Sequence, residues 1–139
     1  MRFVLALFVN PPTRFPWEDN LAYRDFILLH AEAGKFLSEK YPNARVLTAW
    51  PATDELKNPY YGYTTRPLSV VGIEHFSSEQ LSAASRDRAP FDVALLFSTN
   101  YERDLSPEDA ARQLGGRIVY RESRRGHWVA VVEMAKAEG

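Results

Sequence analysis

The chain has 139 residues, 45% of them hydrophobic and 25% charged, with a formal net charge of −1. That length suits one domain able to bury roughly two-thirds of its unfolded surface without a disulfide or metal, and the balanced charge argues against a global field for nucleic acid or an anionic membrane. There is no cysteine, which excludes a disulfide framework, a thiolate zinc site and a cysteine nucleophile while leaving the redox compartment open.

The first apolar run is FVLALFV, Phe3 to Val9. It is far shorter than the roughly 20 residues needed to span a bilayer, so it reads as a buried strand. The alternative is the stub of a membrane helix. NPPTRFPWED (residues 10–19) follows as a Pro-rich extended connector, with Phe15 and Trp17 expected to pin it to the domain. Asp19 or Asn20 then caps a helix reaching about Tyr41. Its apolar face is Ala22, Phe26, Leu29, Ala33, Phe36 and Leu37. His30 falls on the apolar side and reads as a hydrogen-bonded core histidine. Pro42 and Asn43 end the helix.

ARVLTA (44–49) reads as a short buried strand, and ATDEL as one helical turn after it. LSVVGIEHF (68–76) is a second strand and SSEQLSAAS (77–85) a helix with serine caps. FDVALLFST (91–99) is almost wholly apolar and is expected to be central. SPEDAARQL (106–114) has Ser106 as N-cap, Pro107 at the first helical position and Gly115-Gly116 as a stop. RIVYRES and HWVAVVEMA flank RRG and form a hairpin. The alternation predicts a single α/β domain over 1–139. Its expected form is a mostly parallel, Rossmann-like three-layer sheet finished by a C-terminal antiparallel β-hairpin.

Ligands of open α/β sheets bind beyond the carboxyl ends of the strands. Those ends offer Trp50 and Asp54, then Glu74 and His75, then Ser98, Asn100 and Tyr101. The stretch WPATDELKNPYYGY adds Tyr60, Tyr61 and Tyr63. Flat aromatic faces with nearby carboxylates suit a sugar, so Trp50, Asp54, Tyr60, Tyr61, Tyr63 and His75 are the candidate binding residues. The competing reading is a tyrosine-rich loop that covers the sheet edge. Asp54 or Glu74 with His75 would make an acid–base pair. No G-x-G-x-x-G, no phosphate-binding loop and no G-x-S-x-G elbow is present, so no cofactor is expected and no catalytic residue is assigned. His30, His75 and His127 lack metal-ligand spacing. Arg124 and Arg125 are expected in a solvated turn. Arg117 and Arg121 are expected on one strand face as a small basic stripe, for which an anionic lipid headgroup or a partner is a conceivable contact.

Three stretches together carry a family resemblance. They are NPPTRFPWEDNLAYRDFILLHAEAGKFLSEKYPNARVLTAWPATDEL, GYTTRPLSVVGIEHFS and the closing WVAVVEM. Their style and order resemble the water-soluble carboxyl-terminal region of polytopic bacterial glycosyltransferases of the dolichyl-phosphate-mannose–protein mannosyltransferase type. The resemblance implies a membrane-embedded parent using a polyprenyl-phosphate sugar donor. The chain would be its accessory domain on the extracytoplasmic side of the inner membrane, helping to hold a sugar, an acceptor or a polyprenyl-phosphate headgroup. That family's catalytic acids lie between membrane helices, so none carries over. Two other readings stand beside it. One is a stand-alone cytoplasmic α/β enzyme using Asp54, Glu74 and His75. The other is a protein-interaction module anchored by exposed aromatics.

Overall fold

The computed structural model describes residues 21–86 and 90–136. The predicted strand over 3–9, the connector over 10–19 with Phe15 and Trp17, and the cap at Asp19 or Asn20 lie outside the described residues. The described chain runs α1 (Leu21–Lys40), β1 (Arg45–Ala49), α2 (Ala52–Lys57), a 3-10 turn (Pro59–Tyr61), β2 (Ser69–Ile73), α3 (Ser78–Arg86), β3 (Val93–Phe97), α4 (Pro107–Leu114), β4 (Gly116–Arg124) and β5 (His127–Met134). Every element read from residue 21 onward is therefore found close to its expected place.

The five strands form one open sheet in the order β2-β1-β3-β5-β4. The β2-β1 and β1-β3 pairs are parallel. The β3-β5 and β5-β4 pairs are antiparallel. The fold is α/β, but the sheet is mixed rather than mostly parallel. The reason is that the C-terminal hairpin supplies two full strands, and its second strand returns beside β3. All five residues of β3 are buried, as expected of a central strand.

The helices lie on both faces. Tyr120 of β4 stacks on Phe36 of α1 at 4.6 Å, while its neighbour Arg121 ion-pairs with Glu108 of α4. Adjacent strand residues point to opposite faces, so α1 and α4 sandwich the sheet. α2 joins α1 through His30 and Glu55, and α3 joins α4 through Gln113, whose amide donates to the Ser78 carbonyl. α4 starts as its sequence dictates. The Ser106 hydroxyl accepts from the Asp109 N–H at 3.2 Å, and Gly115 closes the helix in the left-handed region with φ 69°.

The hairpin turn is Arg125-Gly126, with φ of 49° and 83°. Two left-handed central residues match the right-handed twist of the flanking strands. The expected basic stripe does not form. A bulge between Ile118 and Tyr120 leaves Val119 without a partner in β5, which reverses the side-chain alternation. Arg117 pairs with Glu133 on the α1 face, and Arg121 opposite Ala130 reaches Glu108 on the other. Arg124 lies within β4 and binds Glu32 at 2.9 Å, while Arg125 binds Asp25 at 3.2 Å. Arg125 is thus an exposed turn residue as expected, though paired, while Arg124 belongs to the strand.

Candidate functional site

The carboxyl ends of β1 and β3, and the residues just after β2, open into a cavity of about 620 Å3. The amino-terminal half of α1 supplies one wall with Tyr23, Phe26 and Ile27. Trp50 and Pro51, joined by a cis peptide bond, supply another. Glu74, His75 and the β3–α4 segment from Ser98 to Tyr101 close the remaining side. The topology explains the convergence. β1 lies between β2 and β3 and runs parallel to both, so three loops leave the sheet at the same edge.

Of the residues expected here, Trp50, Tyr63 and His75 line the cavity, together with Glu74, Ser98, Asn100 and Tyr101. Trp50 is 73% exposed and presents its ring at the rim. Asp54, Tyr60 and Tyr61 do not line it. Asp54 is exposed, and its backbone carbonyl caps the Asn58 side chain. Tyr60 is 96% exposed and meets Tyr61 edge to face. The 3-10 turn carries both rings away from the cavity, and only the chain after Gly62 folds back. Tyr63 then packs where α1 has Gly34. A Cβ at position 34 would collide with the Tyr63 carbonyl oxygen, so glycine there permits the close approach.

His75 is half-buried and stacks flat on Tyr101, with ring centres 3.9 Å apart and planes 11° apart. Asp104 fixes this pair from behind. Its carboxylate accepts from the Phe76 N–H at 2.8 Å and from the Thr99 hydroxyl at 2.5 Å, tying the loops after β2 and β3 together. The expected acid–base pair is not assembled. Among the described residues, no hydrogen bond joins His75 to Asp54 or Glu74. The Glu74 N–H instead donates a long hydrogen bond to Gln80 Oε1 at 3.4 Å.

The carboxylate that does reach the cavity wall from α2 is Glu55. It is 9% exposed and meets His30 Nδ1 at 2.6 Å. An ionised carboxylate only accepts, so the proton lies on Nδ1. His30 Nε2 is buried without a partner, wedged by Phe26 at 4.1 Å and Phe97 at 4.6 Å. The ring therefore has one polar contact among the described residues, and through it orients Glu55. Tyr63 feels this carboxylate. Burial first, and then Glu55, pushes its phenol above the ordinary value.

A second polar contact underlies the same edge. Ser98 Oγ lies 3.2 Å from His127 Nδ1 and accepts from the Trp128 N–H at 3.2 Å. Burial holds the His127 ring below its ordinary pKa, against the opposing charge of Asp25. A neutral imidazole next to a hydroxyl can accept its proton. A nucleophilic triad also needs an orienting hydrogen bond on the other ring nitrogen, and no such bond to His127 exists among the described residues. Ser98 is therefore a clip between β3 and β5.

Glu55 and His127 were missed in the sequence, yet each had a readable signal. Ala52, Glu55 and Leu56 share the i, i+3, i+4 face of α2 and are all buried, so helical spacing favours Glu55 over Asp54 as the inward acid. His127 precedes Val129 and Val131 in the alternation of β5 and faces the same side. Among the described residues, no group of three or more histidines and acids is placed to hold a metal ion, and no helix is long and apolar enough to cross a membrane. Comparison with models of known families, with curated proteins and with solved structures finds no match to this chain.

Proposed function

We propose that this chain is a Rossmann-like, non-catalytic accessory domain of a membrane-embedded glycosyltransferase, and that its strand-end cavity binds a sugar unit of the donor or acceptor. The observation that carries this reading is the lining. Aromatic rings from three elements (Tyr23, Trp50 and Tyr101) surround a space of about 620 Å3 with acceptor oxygens from Glu55 and Glu74. Ring faces stack on the apolar faces of a pyranose, and carboxylates take its hydroxyl hydrogen bonds. The space suits a small polar ligand. The arrangement favours binding over bond-making, since among the described residues neither His75 nor His127 is oriented by a carboxylate hydrogen bond. The resemblance in sequence style supplies the parent and the extracytoplasmic placement.

Two experiments test the two halves. Reading the gene upstream of Met1 should reveal codons for several membrane helices, and a stop codon directly upstream would reject the accessory role. Titrating the full chain with monosaccharides should change the intrinsic fluorescence through Trp50. Retention of the same change in Trp50→Ala would reject the cavity as the sugar site.

A further inference from the structure

We propose that the cavity recognises a protonated amine carried on a sugar-sized polar ligand. This rests on the reading of the cavity as a sugar site and adds the sign of charge that the site selects.

The lining carries two carboxylates, Glu55 and Glu74, and no lysine or arginine among the described residues. The nearby arginines of the hairpin are engaged elsewhere, Arg124 with Glu32 and Arg125 with Asp25. Glu55 is held in the wall by a histidine whose Nε2 is buried without a partner. His30 thus fixes the carboxylate in place by geometry. A negative group held in a mostly apolar wall attracts a cation more strongly than the same group in water.

The aromatic groups agree with this sign. Tyr23, Phe26, Trp50, Tyr63 and Tyr101 all contribute to the wall, and ring faces attract ammonium groups within about 6 Å. An ammonium has three donors, for which Glu55, Glu74 and the Asn100 side-chain oxygen are the acceptors that the lining residues carry. A phosphate has the opposite requirement. It needs cationic side chains or a helix amino terminus, and among the described residues the lining has no lysine or arginine. A metal ion fits poorly too, since no group of three or more acidic or histidine ligands is assembled among the described residues. The sugar-binding end of the reading and the amine are compatible in one molecule, an amino sugar.

The test is calorimetric titration of the full chain with glucosamine, N-acetylglucosamine, glucose, glucose 1-phosphate and the non-sugar amine spermidine. Glucosamine should bind at least about tenfold more tightly than its acetylated or neutral counterparts, the size expected of a desolvated ammonium on aromatic and carboxylate groups. Glu74→Gln should weaken glucosamine about tenfold and glucose by much less, because the amide keeps one acceptor oxygen for a hydroxyl but loses the charge that an ammonium meets. Glu74 is exposed, so this variant folds even if Glu55→Gln does not. Equal affinity for glucose and glucosamine overturns the amine and leaves the sugar site standing. Binding of spermidine without any sugar upholds the amine and overturns the sugar site. Tightest binding of glucose 1-phosphate, or glucosamine binding unchanged in Glu74→Gln, overturns the proposal. No binding of any of the five overturns both.

Discussion

The hairpin and the strand-end cavity handle charge in opposite ways. Around the β4–β5 hairpin, Arg117, Arg121, Arg124 and Arg125 each meet a carboxylate, namely Glu133, Glu108, Glu32 and Asp25. At the strand-end cavity, Glu55 meets only a histidine, and Glu74 has no ion-pair partner among the described residues. The hairpin pairs are exposed or half-exposed, where such pairs contribute little. The Glu55–His30 pair is buried, where each polar group must be matched or it costs stability. The contrast separates charge that keeps a surface soluble from charge that is held in place at a net cost, which is the pattern of a binding site.

The largest expected effect breaks the buried side of this contrast. His30→Ala leaves Glu55 without its partner and opens a void between Phe26 and Phe97. Urea unfolding should show a loss of about 4 kcal/mol, the range for stranding one member of a buried pair. Replacing both residues, as His30→Leu with Glu55→Leu, should recover most of that loss. A single variant as stable as the parent would show that the pair is not needed to hold α1 on α2.

Gly34→Ala is the next test. Alanine is the better helix former by about 1 kcal/mol, so on an exposed helix it would stabilise. Here its Cβ meets the Tyr63 backbone, and the expected net outcome is a loss of about 2 kcal/mol through overpacking. The same variant should displace Tyr63 from the cavity wall, which an ultraviolet titration of the phenol reads as a return toward the ordinary tyrosine range. A stabilised variant would mean that the loop yields and does not position Tyr63.

Acid stability sharpens the comparison from the side of His127. Its folded pKa is depressed below the ordinary 6.5 by burial, so the unfolded chain takes up the proton first as pH falls. The contribution of His127 is therefore present above pH 6.5 and lost as pH falls through the lower folded value. Asp25 opposes the depression and His30 adds to it. Following the ring by NMR should give a midpoint below 6.5, and His127→Gln should flatten the acid limb of the stability curve. A midpoint above 6.5 would place Asp25, not burial, in control.

Much of this molecule was readable from local pattern. Ser106 and Pro107 announce α4, the apolar FDVALLFST announces the central strand, and the alternation around RRG announces the hairpin. What escaped depended on contacts between distant positions or on a single irregular residue. His30 and Glu55 lie 25 positions apart on separate helices, and nothing local links them. The bulge at Val119 moves Arg121 to the opposite face from Arg117, and one extra residue leaves no mark in an alternating run. Tyr60 and Tyr61 misled for a related reason. Their types suited a binding wall, but the tight turn after Asn58 directs them outward while Tyr63 folds in.

The smallest expected effect probes the hairpin itself. Arg121→Ala removes the ion pair to Glu108, whose carboxyl the guanidinium holds below the usual carboxylate range. Both side chains are about half exposed, at 49% and 51%, so water and salt replace most of what is lost. The predicted change in unfolding free energy is the smallest of the set, and it shrinks further at high salt. Arg117→Ala should behave alike, because Arg117 is 79% exposed. A loss near that of His30→Ala would erase the distinction between the hairpin and the cavity. The hairpin arginines would then be structural posts, and pairing would no longer mark which carboxylates are free to take a ligand.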